Sequence, residues 1–164
     1  PTIYEVPLRM QEQGLDATIL RKLDMPVGET PGLGPWRSFL DRRHKATEII
    51  NIGLVGKYDL QDAYKSILEA LSQAGTYNDR KVKCHFINSE KITQENVAEM
   101  LKGMDGYVIC PGFGQRGIEG KIIATQYCRE NNKPTFGICL GMQMMVIEFG
   151  RNVLGVYAKF MARR

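Results

Sequence analysis

Apolar positions follow two different rhythms along this chain, and the change falls near residue 47. From Ile49 onward, short β-branched runs alternate with stretches of helical spacing. Ile49-Ile50-Asn51-Ile52-Gly53-Leu54-Val55 is short, apolar and β-branched, which predicts an interior strand. In Leu60–Ala74 the residues Leu60, Ala63, Tyr64, Ile67, Leu68 and Leu71 recur at helical spacing, and Gly75 is expected to stop the helix. The alternation then repeats. Strands are predicted over Val82–Ile87, Gly106–Cys110 and Thr135–Ile138, and helices over Thr93–Leu101 (Thr93 as N-cap), Ile118–Glu130 and Met142–Phe149. Strands with intervening helices mean βαβ units, so the expected fold is α/β, a doubly wound parallel sheet. Active sites in such sheets lie at the carboxyl ends of the strands.

Residues 1–47 lack that rhythm. Two short helical patterns, near Leu8–Gln13 and Asp16–Leu23, precede Pro26, Gly28, Pro31, Gly32, Gly34 and Pro35. Such a run cannot continue a helix, so it reads as a linker or extended arm, with one more helix over Trp36–Lys45. The arm carries too little periodic apolar surface to form a domain of its own.

Composition changes this picture little. An apolar content of 43% and a charged content of 24% are ordinary for a globular chain of 164 residues, long enough for one domain. The net charge of +4 comes without an aromatic-interleaved basic stripe, so no nucleic-acid partner is expected. No apolar run is long enough to cross a bilayer. Cys84, Cys110, Cys128 and Cys139 lack CxxC spacing, so neither a metal site nor a redox pair is expected. Free thiols without an export signal favour the cytoplasm, and Pro1 in place of Met suggests a trimmed chain.

The most informative stretch is Gly137-Ile138-Cys139-Leu140-Gly141, which follows a short strand and opens a helix. This is a nucleophile elbow with Cys in the nucleophile position. Small residues on either side permit a strained strand-to-helix turn that pushes the thiol into a cleft. The helix N-terminus favours a thiolate, and the Leu140 N–H suits a tetrahedral oxyanion. A buried structural cysteine is the competing reading, made less apt by the strand before and the helix after. Cys110-Pro111-Gly112-Phe113-Gly114-Gln115-Arg116-Gly117 follows the preceding strand, so it shares the sheet edge with the elbow and is a candidate for the second oxyanion donor.

Gly137 through Gln143 resembles the nucleophile motif of triad-type, class I glutamine amidotransferases. Gly53-Leu54-Val55-Gly56-Lys57-Tyr58, Asp62-Ala63-Tyr64-Lys65-Ser66, Gly112 through Lys121 and Gly137 through Val153 together resemble the CTP synthase family. In the arm, Ile3 through Leu8 and Gln13-Gly14-Leu15-Asp16 look like the exit from that family's synthetase domain. The resemblance implies a flavodoxin-like sheet of the class I type, incomplete over 48–164, with 1–47 as the synthetase tail and interdomain linker. It implies a glutamine-dependent ligase that aminates UTP to CTP with ATP, Mg and glutamine-derived ammonia, activated by GTP and assembled as a homotetramer. Within this chain it implies no cofactor. Cys139 would attack glutamine to form a glutamyl thioester. Gly112 and Leu140 would supply oxyanion N–H groups, with Gly141, Met142 and Gln143 lining the glutamine site. Phe113, Arg116, Gly117 and Glu119 would lie in a GTP-sensing lid.

Three departures from the family pattern stand out. Pro111 replaces a glycine and removes an N–H from the oxyanion loop. The loop at Tyr58-Asp59-Leu60 is one residue short. The end, Val156 through Arg164, lacks the family's amino-group-binding Glu, and the catalytic His and its Glu partner are not in the chain. Of the two histidines, His44 lies in the basic arm and His85 inside a predicted strand, so neither is expected to serve as the base and the chain alone is expected to be inactive. Two alternatives are another triad-type amidotransferase and a degenerate, non-catalytic binding module on the same fold.

Overall fold

A computed structural model describes residues 2–30, 32–58 and 61–156, Gln61 by its backbone alone. Four parallel strands form one sheet: β1 Ile49–Gly56, β2 Lys81–Asn88, β3 Gly106–Ile109 and β4 Thr135–Gly137, in the order β2-β1-β3-β4. Register pairs Ile52 with Gly106 across β1 and β3, and Tyr107 with Thr135 across β3 and β4. The predicted doubly wound α/β sheet is therefore borne out.

Side chains alternate across the sheet with the two-residue period of a strand. Leu54, Val108 and Cys84 face one side and pack with Tyr64, Ile67, Leu68 and Leu71, the last three on α4 (Lys65–Tyr77). Val55, Ile87, Tyr107 and Ile109 face the other. There they meet Val97 of α5 (Val97–Met100) and Ala124 and Cys128 of α6 (Ile118–Glu130). The last helix, α7 (Leu140–Asn152), packs on α6 through Leu140 and Met144 against Ile118 and Ile122. Glu148 of α7 is buried, and its carboxylate accepts hydrogen bonds from Arg129 at 2.8–3.1 Å. At the β4 edge the apolar surface is open. Phe136 is 66% exposed, and Val146, Phe149, Leu154 and Val156 line a hollow of about 480 Å³.

Three local expectations need correction. α4 runs through Gly75 to Tyr77, and a Cβ on Gly75 would come within 2.7 Å of the Val82 side chain. Gly75 thus permits helix–sheet packing, and the chain turns only at Asp79, with φ 54°. Thr93 is no N-cap. Its N–H donates to the Asn96 side chain at 2.8 Å, Asn96 takes the cap position, and the helix shrinks to α5. Residues 61–64, predicted as helix, form a 3-10 turn before α4. Asp59 and Leu60 of the shortened loop, and residues 157–164 of the divergent end, lie outside the described residues.

The arm contains α1 (Val6–Glu12), α2 (Leu15–Lys22) and α3 (Gly34–Lys45). α3 starts two residues before the predicted Trp36, with Pro35 in its first turn, where a missing N–H costs nothing. Tyr4, Phe39 and Leu40 form a small core with Leu8 and Trp36. Tyr4 Oη donates to Glu69 of α4 at 2.5 Å, and Arg43 donates to Ser72 at 2.7 Å, so the arm lies along α4.

Candidate active site

Cys139 joins β4 to α7 with φ 53° and ψ −110°, a left-handed conformation rare for a residue with a side chain. Held strain of this kind gathers at functional sites. The flanking glycines explain how the turn is built. A Cβ on Gly137 would come within 2.6 Å of Met145 Sδ and 2.7 Å of the Met142 nitrogen. On Gly141 it would lie 1.9 Å from the Ile109 carbonyl oxygen. Only glycine lets α7 begin this close to β3. That same carbonyl accepts from Ile138 N–H at 3.0 Å, which ties the elbow to the neighbouring strand.

Cys139 is exposed, whereas Cys110 and Cys128 are buried and Cys84 is half-buried. Burial pushes the Cys110 thiol up to about 12 and the Cys128 thiol to about 11, and it raises Cys84 as well. Cys139 is therefore the accessible thiol, and it sits at the N-terminus of α7.

Gly112 is buried beside the elbow, and a Cβ there would be 3.6 Å from Leu140 Cδ2. Leu140 is the first residue of α7, so its N–H has no intrahelical acceptor. Gly141 is buried, and Met142 and Gln143 are exposed in the first turn of α7. The structure thus gathers Gly112, Cys139, Leu140, Gly141, Met142 and Gln143 at adjoining strand ends. Pro111 has a trans peptide, and Gly112 keeps its place beside Leu140.

The four proposed lid residues are more dispersed. Phe113 is 82% exposed, Arg116 pairs with Glu90 at 3.0 Å, and Gly117 precedes α6 with φ 73°. Glu119 lies in the first turn of α6 and pairs with Arg151 of α7 at 2.9 Å. A polar hollow of about 360 Å³ opens beside Ser89, Glu90, Gly117 and Glu119.

Sequence reasoning missed two lysines. Lys57, at the end of β1, and Lys121, in the first turn of α6, are buried, and both donate to carbonyls of the 110–113 loop. Burial pushes Lys121 down to about 8, and the Lys57 charge adds to that shift. A signal existed for Lys121. Ile118, Ile122, Thr125 and Cys128 are spaced as one buried helix face, and position 121 falls on it.

Neither histidine stands beside Cys139. His85 pairs with Gly53, and Gly53 with Tyr107, which pairs with Thr135, so His85 is three strand spacings (about 14 Å) across the sheet. Its Nε2 lies 2.9 Å from Asn51 Oδ1, and His44 Nε2 lies 3.8 Å from Glu5 on the arm. Among the described residues no group of three His, Cys, Asp or Glu side chains is arranged to hold a metal, and no helix is long and apolar enough to cross a membrane.

The chain is 74% identical to a CTP synthase of Bacteroides thetaiotaomicron over 156 residues, 94% of this chain and 29% of that protein. It is 60% identical to one of Porphyromonas gingivalis over the same shares. It therefore spans less than a third of these relatives' length. The acivicin-bound glutaminase domain of a Trypanosoma brucei CTP synthase superposes with a TM-score of 0.60 at 38% identity, over 65% of this chain and 42% of that one. Residues 59–163 match the glutamine amidotransferase class-I family, and they include both the elbow and the glycine loop. By sequence, by sheet and by the Gly-flanked cysteine that opens α7, the chain belongs to the glutamine amidotransferase class-I family.

Proposed function

We propose that the chain is the nucleophile-bearing part of the glutaminase of a CTP synthase. In this reading Cys139 hydrolyses glutamine and a synthetase domain of the longer protein uses the ammonia. The observation that carries it is the left-handed, exposed Cys139 wedged between two obligatory glycines beside Gly112. The Cys139 sulfur bonds to the amide carbon of glutamine. The oxyanion rests on the Gly112 and Leu140 N–H groups, and the C–N bond breaks as ammonia leaves with a proton. Water then cleaves the glutamyl thioester, which frees glutamate and restores the thiol. Met142 and Gln143 flank the side chain of the substrate.

The remaining parts of the reading rest on similarity to CTP synthases. They are ATP and Mg at a synthetase site, GTP acting near Phe113, Arg116, Gly117 and Glu119, a homotetramer, and a cytoplasmic location that suits four free thiols. The open apolar surface at β4 and α7 is one that the rest of a longer protein would cover.

Turnover needs a base to take the thiol proton and return it to the leaving nitrogen. His44 and His85 are both engaged elsewhere, so the chain by itself is expected to be alkylated at Cys139 without steady ammonia release. The test is a glutamine-mimicking chloromethyl ketone, with mass-spectrometric identification of the modified thiol. Modification of Cys139 ahead of Cys84, Cys110 and Cys128 supports the proposal. A slower Cys139 would refute it, and steady glutaminase activity above a Cys139→Ala blank would refute the missing-base argument.

A further inference from the structure

The two buried lysines converge on four consecutive residues. Lys121 Nζ donates to the Cys110 carbonyl at 2.6 Å and reaches the Pro111 carbonyl at 3.5 Å. Lys57 Nζ donates to the Phe113 carbonyl. Three of the four carbonyls from Cys110 to Phe113 are thus held by ammonium groups on the protein side of the loop.

A planar trans peptide points its N–H opposite to the carbonyl of the preceding residue. No peptide bond among the described residues is cis, so a Pro111 carbonyl drawn inward turns the Gly112 N–H away from Lys121. Gly112 lies at the mouth of the elbow, next to Leu140. The lysine therefore sets the direction of one of the two amides that face the developing oxyanion.

Stability does not account for a lysine at this place. Lys121 is fully buried, and a buried ammonium carries a desolvation penalty that an apolar side chain of similar size avoids. The depressed lysine titration near 8 records that cost. Its hydrogen-bonding partners in the structure are carbonyls of the glycine loop.

We propose that Lys121 is a positioning residue for the oxyanion site, fixing the Cys110–Gly112 backbone so that the Gly112 N–H faces the carbonyl attacked by Cys139. This rests on the glutaminase reading of the elbow. It makes Pro111 a stiffening element, because the ring fixes φ immediately before Gly112.

Two reagents separate this role from plain structural support. Acylation of Cys139 by p-nitrophenyl acetate passes through a tetrahedral oxyanion; sulfur bonds to the acetyl carbon and p-nitrophenolate leaves. Alkylation by iodoacetamide is a direct displacement with no oxyanion. The p-nitrophenolate burst and the iodoacetamide rate are measured on the whole chain, with Cys139→Ala as blank, for wild type, Lys121→Met and Lys121→Gln. A lost oxyanion donor typically costs about 100-fold or more, so a misdirected one is expected to lower the acylation-to-alkylation ratio at least about tenfold in Lys121→Met. Lys121→Gln, which keeps an N–H donor, is expected to recover part of the loss.

An unchanged ratio in a folded Lys121→Met, or equal losses in Met and Gln variants, would overturn the assignment. Should the Met variant fail to unfold cooperatively in urea, the Gln variant decides alone. A ratio within about threefold of wild type then supports the assignment, and a loss of about tenfold overturns it. A wild-type chain with no burst above the blank would overturn the elbow reading and this one with it.

Discussion

Replacing Gly141 with alanine tests the elbow most directly, because the obstacle is backbone and has no rotamer to retreat into. The added Cβ would sit 1.9 Å from the Ile109 oxygen and 2.6 Å from its carbonyl carbon. Relief requires the first turn of α7 to move off β3, which strains the 3.0 Å bond from Ile138 N–H to that oxygen. Overpacking costs about 1–3 kcal/mol, and orphaning a buried backbone acceptor costs about 1–3 kcal/mol more. Alanine's better helix propensity returns about 1 kcal/mol. The net is about 3 kcal/mol, which for a chain of this size lowers the melting temperature by about 6–12 °C. Gly112→Ala is the control. Its Cβ would meet neighbours at 3.4–3.7 Å, ordinary contact distances, so it is expected to cost less than about 1 kcal/mol. Thermal unfolding followed by circular dichroism reads both, and the iodoacetamide rate of Cys139 shows whether the thiol has moved. Gly141→Ala melting within about 2 °C of wild type, or Gly112→Ala being the worse of the two, would refute the packing argument.

Two further outcomes are expected. Arg129→Met leaves the buried Glu148 carboxylate with Asn152 at 3.1 Å as its remaining hydrogen-bond partner, and is expected to cost about 3 kcal/mol in urea unfolding. The Arg129→Met/Glu148→Met double variant should recover much of that, and no recovery would refute the pairing argument. For pH, Lys121 is pushed down to about 8 in the folded chain, while an unfolded lysine titrates near 10.4. Between about pH 8 and 10 the unfolded state therefore holds a proton that the folded state has released, so the lysine's contribution to stability rises with pH, by up to about 3 kcal/mol. The raised Cys110 and Cys128 thiols oppose this above about pH 8.5, since there the folded state holds the extra protons. The difference between wild type and Lys121→Met cancels the cysteines. It is expected to grow in favour of wild type from pH 7 to pH 10, and a flat difference would refute a buried, depressed Lys121.

Much of the fold was legible because its signals are local. Four short apolar runs bounded by turn residues specify strands, and helical spacing between them forces parallel crossovers, so the sheet follows from the chain alone. The elbow was legible for the same reason, since Gly137-Ile138-Cys139-Leu140-Gly141 carries its geometry within five residues. The misreadings came where a residue's role depends on a distant neighbour. Gly75 looked like a helix stop, but Val82 on the next strand makes it a packing glycine. Thr93 has the right side chain for an N-cap, yet the regular helix begins only at Val97, with Asn96 at its N-cap.

The order β2-β1-β3-β4 was likewise a tertiary decision, and it alone separates His85 from Cys139 by three strand spacings. Lys121 shows the limit most plainly. In sequence it is one of many cations after a glycine loop, whose ordinary place is water. Folding buries its helix face against the sheet and leaves the carbonyls of Cys110 and Pro111 as its partners. Burial is a property of what surrounds a residue, so local pattern could place the nucleophile, and only packing could show what holds the loop beside it.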